Sequence, residues 1–355
     1  MQDTSPANAQ FWNWFQAHGN RLTADLVGPD DAARERASDE LHNALAAVHP
    51  GLVFLVGGAA EEPEKEFVIS ADAKRENVDA AKALAAAAPP MSGWKVVALR
   101  PRMDLSDSWA IRLEDEEVGP GDVWFRTEEL EGGGLGLELC VKGLTPQNRR
   151  LRGLGAMLLM DHALGEADSL TLVEGVKAEP LPDDPAAAGL RPLADLPGHI
   201  DAVKRDRYPP PGRLSADLDS DWIGLKGKIA GKLALARANA GLKPVAGHPA
   251  YDRRLVVALP FNGVRDDGMP STSEELHAID DLEQRVMDSL QEGQQSLLAV
   301  TVTTNGRRDL IFYTADADAA LERVAALRAE AGDHDLDTDV RLDTFWETYR
   351  NFVGA

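Results

Sequence analysis

The chain has one cysteine among its 355 residues and contains no long apolar run. A single thiol excludes an intrachain disulfide framework. Cys140 lies in the apolar run 137–141, where a buried, inert thiol is expected. No segment approaches the roughly 20 apolar residues that a membrane helix needs, and no signal-peptide pattern opens the chain. These absences predict a cytoplasmic protein that does not enter the membrane.

Positive charge is also scarce. The chain has 37 Lys and Arg against 59 Asp and Glu, a net charge of −22, and no lysine follows Lys243. A field of this sign repels phosphate backbones, so nucleic-acid binding is not expected. An acidic surface serves solubility or meets a basic protein partner. Residues 201–243 differ from the rest of the chain, because this segment contains nine Lys or Arg and five Asp, a local charge of +4.

Motifs that carry common chemistries are missing. The sequence has no glycine-rich loop ending in Gly-Lys-Ser/Thr and no Gly-x-Ser-x-Gly elbow. Its eight histidines and its cysteine do not stand at metal-ligand spacing. The sequence therefore predicts no catalytic residues, no cofactor and no metal, and it favours a non-enzymatic protein that binds another protein.

One segment supports an enzymatic alternative. Arg150, Gly153 and Gly155 follow an apolar strand and open an apolar helix. This Arg-x-x-Gly-x-Gly motif resembles the acetyl-coenzyme A pyrophosphate loop of the Gcn5-related N-acetyltransferases. Glycines let backbone N–H groups approach a pyrophosphate, and a helix N-terminus favours anions. The alternative interpretation is that the glycines only let the helix pack closely on its sheet.

The C-terminal hundred residues have the clearest pattern. Apolar strands are predicted at 255–259, 297–303, 310–313 and 336–342, and amphipathic helices are predicted to begin near Thr272 and at Asp316 or Asp318. Asn305-Gly306 predicts a type I′ hairpin between the middle strands, because both turn residues need positive φ. The order β-α-β-β-α-β predicts a ferredoxin-like split βαβ domain with an antiparallel sheet and both helices on one face.

Acidic residues of the first of these helices are candidates for partner binding. Asp280, Asp281 and Glu283 fall largely off the apolar stripe formed by residues such as Ile279 and Leu282. We therefore expect their side chains to be solvated and to meet a basic protein surface. Replacing all three with Lys is expected to leave folding nearly intact.

Several motifs of this region resemble a known family. They are Asp267-Gly268-Met269-Pro270, the Glu-rich helix, Thr304-Asn305-Gly306-Arg307-Arg308, and Asp343 with Trp346 and Tyr349. Together they resemble the bacterial family called domain of unknown function 695. That family is similar in turn to the ribonuclease E activity regulator B family, small acidic ferredoxin-like proteins that inhibit an enzyme by binding it. The resemblance implies a fold and a binding role, and it transfers no catalytic residue.

The rest of the chain predicts an α+β organisation. Residues 1–207 are expected to form an N-terminal α+β domain with antiparallel sheets, and a split near residue 105 is left open. Its expected features include an aromatic helix from Ala7 to Asp25, a glycine turn at 132–134, a helix at 147–164 and a strand at 170–176. The Pro-rich residues 208–220 are expected to be an exposed linker that proteases cut. Residues 221–355 are expected to form the ferredoxin-like domain, which begins with a hairpin that turns near Ala230-Gly231.

Overall fold

The computed structural model describes residues 5–57, 64–105, 109–130, 134–219, 221–328 and 334–354. The chain folds into two compact units, Gln2–Val203 and Lys204–Ala355. Both contain helices and strands, so the predicted α+β class is confirmed. The domain limits at residues 207 and 220, and the split near residue 105, stay predictions.

The N-terminal unit carries three sheets, with strand orders β1-β2-β3, β4-β5 and β8-β7-β6-β9. Most strand pairs are antiparallel, but β2–β3 and β7–β8 run parallel. Parallel neighbours need a crossover connection, and α3 and α4 provide one each. The elements are α1 (Pro6–Val27), α2 (Asp31–Val48), β1 (Val53–Gly57), β2 (Lys65–Ser70), α3 (Val78–Ala86), β3 (Trp94–Ala98), β4 (Ile111–Leu113), β5 (Glu116–Val118), β6 (Val123–Glu129), β7 (Leu135–Val141), α4 (Arg149–Leu172), β8 (Val173–Pro180), β9 (Arg191–Pro192) and α5 (Leu196–Arg207). Residues 132 and 133 of the predicted glycine turn lie outside the described residues.

The aromatic helix predicted near the N-terminus is confirmed as α1. Its side chains Phe11, Trp12 and Phe15 are almost fully buried. They pack on Phe67 of β2, and Phe15 also meets the ring of Trp94 edge-on at 5.0 Å between centroids. The aromatic cluster is therefore the core of this part of the unit.

The helix predicted at 147–164 is longer than expected. Gly165 has φ of 69° and interrupts α4, but helical structure resumes at Glu166 and continues to Leu172. The buried Glu166 carboxylate accepts hydrogen bonds from the Ser70 hydroxyl and from the backbone N–H groups of Ala73 and Arg100. These bonds fix the second helical segment, so the predicted strand at 170–176 was placed too early.

The C-terminal unit is built on one six-stranded sheet of order β10-β11-β13-β14-β12-β15. Every neighbouring pair in it is antiparallel. The elements are β10 (Trp222–Ile229), β11 (Lys232–Asn239), β12 (Arg253–Pro260), α6 (Ser273–Leu290), β13 (Ser296–Thr304), β14 (Arg307–Thr314), α7 (Ala317–Arg328), β15 (Asp337–Leu342) and α8 (Glu347–Val353). From β12 onward the order is the predicted β-α-β-β-α-β, and this topology is consistent with a ferredoxin-like arrangement.

Two tight turns set the register of this sheet. Asn305 and Gly306 have φ of 49° and 82°, and they connect the paired residues Thr304 and Arg307. Ala230 and Gly231 have φ of 50° and 80° at the tip of the β10–β11 hairpin. Both predicted hairpin tips are confirmed, and the positive φ values are those that type I′ turns require.

The sheet is covered on both faces. On one face, apolar residues of α6 and α7 such as Ile279 and Val324 pack on strand residues such as Leu255 and Phe312. On the other face, Trp346, at the start of α8, stacks on Tyr313 with ring centroids 3.9 Å apart. Burial on both faces explains why β13 is buried along almost its whole length.

The Pro-rich segment is attached to the C-terminal unit. Leu214 is buried in the core under α8, and its backbone N–H and C=O both bond to the side-chain amide of Gln294. The buried His248 ring lies 2.8 Å from the Pro209 carbonyl oxygen. None of the helices in the described part of the chain combines the length and the apolar character that a membrane span requires.

Candidate functional site

The predicted acidic residues lie on α6, which is held by its own capping and packing. The Thr272 hydroxyl caps the helix by accepting a hydrogen bond from the backbone N–H of Glu275. A buried stripe from Ile279 to Leu290 packs on the sheet. Asp281 is exposed, as predicted. Asp280 is half-exposed, and its carboxylate accepts a hydrogen bond from Arg308 at 2.7 Å.

The expectation that Glu283 is solvated is wrong. Its carboxylate is 5% exposed and contacts two guanidinium groups, those of Arg237 on β11 and Arg308 on β14. The distance to Arg308 is 2.5 Å. A buried carboxylate is stable only when it is paired and hydrogen-bonded. The pattern missed this pair because both arginines reach under α6 from strands that are distant in sequence.

These charged groups line an open pocket of about 550 Å³ between α6 and the strands β11 and β13. Arg237 and Arg308 supply two positive charges, and Asp280 and Glu283 supply two negative ones. Leu235 and Met287 add apolar wall. The pocket is therefore polar at its base and formally neutral.

The floor of the pocket contains a hydroxyl without a partner. Thr301 is 4% exposed, and its Oγ1 makes no hydrogen bond to any of the described residues. It pairs across the sheet with Arg237. One sequence signal could have revealed the site: Arg308, Leu310 and Phe312 alternate along β14, which places an arginine on the face that α6 covers.

A second surface is formed by the β10–β11 hairpin. β10 is an edge strand of the six-stranded sheet, and no strand of the described chain pairs with its outer edge. Residues 222–243 contain five Lys or Arg and no Asp or Glu. Lys226 and Lys228 project from one face of β10, while Leu225 and Ile229, 39% and 46% exposed, project from the other. This edge is both unpaired and basic in a strongly acidic chain.

The two loop motifs of the sequence meet at one end of the sheet. The Gly306 N–H donates to the Gly268 carbonyl at 2.9 Å, and the Phe261 N–H donates to the Gly306 carbonyl at 2.8 Å. Gly268 has φ of 87°, and a Cβ there would stand 2.9 Å from the backbone nitrogen of Asn305. These glycines allow one loop to lie against the hairpin tip, so the motifs have a structural role.

The residues of the coenzyme A alternative lie within α4. Gly153 and Gly155 are beyond the first four amides, which are the ones a helix leaves unpaired. A Cβ on Gly155 would meet a methyl group of Val118 at 3.0 Å, and one on Gly153 would meet Ala178 at 3.4 Å. Arg150 is exposed, 3.6 Å from Glu114. The two glycines thus let α4 pack closely on β5 and β8, and the geometry supports this packing role.

The remaining sequence candidates do not converge on a reactive centre. Within the described ranges, no three His, Cys, Asp or Glu side chains are grouped so that they could hold a metal ion. Burial, together with the neighbouring Glu138, raises the pKa of the Cys140 thiol to about 11. A thiol with this pKa is protonated near neutral pH and is a poor nucleophile.

Comparison with known proteins finds a similarity in the C-terminal unit. Residues 220–353 match the sequence model of a family of unknown function, DUF695. The match includes the basic hairpin and all the pocket residues, and it confirms the predicted family for this part of the chain. No curated protein and no solved structure matches the chain.

Proposed function

We propose that the protein is a non-enzymatic binding module that takes up an extended acidic segment of another protein as an additional strand beside β10. The observation that carries this proposal is the unpaired, basic outer edge of the six-stranded sheet. Strand addition is a common mode of peptide recognition, in which main-chain hydrogen bonds provide affinity and alternate side chains provide specificity.

The two faces of β10 define the partner. An added strand would place alternate side chains beside Lys226 and Lys228, where carboxylates fit. The intervening side chains would lie beside Leu225 and Ile229, where aliphatic groups fit. The expected ligand is therefore a segment in which acidic and aliphatic residues alternate.

Charge also argues against a second copy of the chain at this edge. Antiparallel pairing of two β10 strands would bring the lysines of both copies onto one face, and like charges across a ladder are destabilising. Lysines on an edge strand are a known protection against self-association. The same lysines favour an acidic partner, so these two roles are compatible.

The expected similarity of the DUF695 family to the enzyme-inhibiting regulator B family is in keeping with the proposed protein-binding role. The acidic side of α6 is a second candidate surface for a basic partner, but only two of its three predicted residues, Asp280 and Asp281, are exposed. Asp280 already contacts Arg308, and Glu283 is buried. We therefore place the main binding surface at the hairpin.

The test uses a fluorescein-labelled peptide of about eight residues that alternates Glu and Val. Binding is measured by fluorescence anisotropy for the wild-type chain and for Lys226→Glu/Lys228→Glu. Reversing both charges replaces attraction by repulsion, and we expect affinity to fall by about tenfold or more, or ~1.4 kcal/mol. Asp281→Lys is the control, because it changes charge on α6 and should not weaken binding.

Two further peptides separate strand addition from simple charge attraction. A peptide of the same composition with its Glu residues in one block tests alternation, and one with alternate N-methylated amides tests the main-chain bonds. Both should bind much more weakly than the alternating peptide. If all three bind alike, or if none binds, the lysines only protect the edge and the proposal is wrong.

A further inference from the structure

The pocket beneath α6 is distinct from the hairpin edge and has unused hydrogen-bonding capacity. From its shape and chemistry we infer that it binds the carboxylate group of a small organic acid. Its volume of about 550 Å³ lies within the range of ligand sites, which are mostly pockets with a few convergent polar groups. Leu235 and Met287 provide an apolar wall for the body of such a ligand.

The donors in the pocket outnumber the acceptors that engage them. A guanidinium has five N–H donors. Arg308 donates to Thr303, Asp280 and Glu283, and Arg237 donates to Glu283. Within the described ranges, these contacts leave several N–H groups of the two guanidiniums for a ligand that brings only acceptors, as an ionised carboxylate does.

The Thr301 hydroxyl indicates where the carboxylate would lie. Its oxygen is buried and makes no bond within the described chain, and a buried polar group without a partner is destabilising. Thr301 is the cross-strand neighbour of Arg237, so hydroxyl and guanidinium lie on the same face of the sheet. One carboxylate could accept hydrogen bonds from both.

Two contacts hold the Arg237 guanidinium in position before a ligand binds. Its guanidinium carbon lies 5.2 Å from the centre of the Trp222 ring, and one of its nitrogens contacts Glu283. The side chain is still 49% exposed, so its remaining donors are accessible from the pocket. A donor held in place before binding loses less entropy when the ligand arrives.

The class of ligand can be tested with simple probes. Hexanoate carries the carboxylate and an apolar body, whereas hexanamide has nearly the same shape without the charge. Each is titrated into the full-length chain, and backbone amide shifts are followed by NMR. We expect hexanoate to produce saturable shifts centred on Thr301 and Arg237, and hexanamide to produce none there.

Three variants test the assignment. Thr301→Val removes a hydroxyl that has no partner, so folding should be retained while hexanoate affinity falls about threefold. Arg237→Gln should lower it about tenfold, since a charge-assisted bond is lost. Lys226→Glu/Lys228→Glu should lower it less than Arg237→Gln does, because these lysines give no donor to the pocket although Lys226 is the cross-strand neighbour of Leu235. Equal shifts with hexanoate and hexanamide, or unchanged affinity in both pocket variants, would overturn the inference.

Discussion

At the scale of single residues, the position of Glu283 has the largest consequences. Its carboxylate contacts Arg237 and Arg308 beneath α6. Removing one member of a buried group of paired charges leaves the remaining charges without an opposite charge to compensate them. The three acidic residues that looked equivalent along the helix therefore have different roles, and they should not be mutated as a set.

The difference can be measured by chemical denaturation. Glu283→Lys places a cation at a buried position in contact with the guanidiniums of Arg237 and Arg308, and we expect it to reduce the free energy of unfolding by about 3–5 kcal/mol. Asp281→Lys changes the same charge at an exposed site, and the expected change is within ~0.5 kcal/mol. Similar losses in both variants would contradict the burial of Glu283.

His248 makes the stability of the C-terminal unit dependent on pH. The Ala250 N–H donates to its Nδ1 at 3.0 Å, so the ring proton is on Nε2 and points to the Pro209 carbonyl. Burial lowers the pKa of His248 below its ordinary value of 6.5. The unfolded chain therefore takes up the proton first, and the contribution is complete above about pH 6.5 and is lost as the pH falls below it.

This effect is tested by unfolding the wild-type chain and His248→Gln between about pH 5 and pH 7. The wild-type unfolding free energy should fall toward acid more steeply than that of the variant. The comparison is needed because burial also lowers the pKa of His162 and His199 in the other unit. Equal slopes for the two proteins would show that His248 does not titrate as described.

At the scale of elements, local patterns were predicted best. Asn305-Gly306 and Ala230-Gly231 specified their hairpins through positive φ, and the apolar stripe of α6 specified its buried face. The continuation of α4 beyond Gly165 was not predicted, because it depends on the bonds of Glu166 to residues of two distant segments. The pocket was missed for the same reason: its arginines pair with α6 only after the sheet has formed.

The Pro-rich segment shows how tertiary contacts change an expectation from composition. The sequence predicts early proteolysis in the Pro-rich residues 208–220, but Gln294 holds Leu214 by two hydrogen bonds of 2.9 and 3.1 Å. We expect Gln294→Ala to increase tryptic cleavage after Arg213 several-fold, because the segment then opens more often. Gln295→Ala is the matched control, since its side-chain amide bonds only to Gly293 among the described contacts. The same cleavage rate in both variants would mean that Gln294 does not restrain the segment.

At the scale of the whole molecule, charge is distributed unevenly along the chain. The net charge is −22, yet residues 222–243 carry five positive side chains and no acidic one. A basic edge on an acidic protein can select acidic segments while the rest of the surface repels nucleic acids. The net charge opposes an acidic peptide and the local lysines attract it, so the effect of Lys226→Glu/Lys228→Glu on the association rate should shrink as salt rises past ~0.15 M, where the Debye length is about 8 Å.

The most direct test of strand addition is hydrogen exchange of the backbone amides with and without saturating alternating Glu-Val peptide. Strand addition predicts new protection within β10, Trp222–Ile229, because the added strand would bond to the backbone along its outer edge, with which no described strand pairs. The exposed side of α6 around Asp281 should exchange at the same rate in both samples. Protection on α6 with none in β10, or no change anywhere at saturation, would contradict the proposed binding mode.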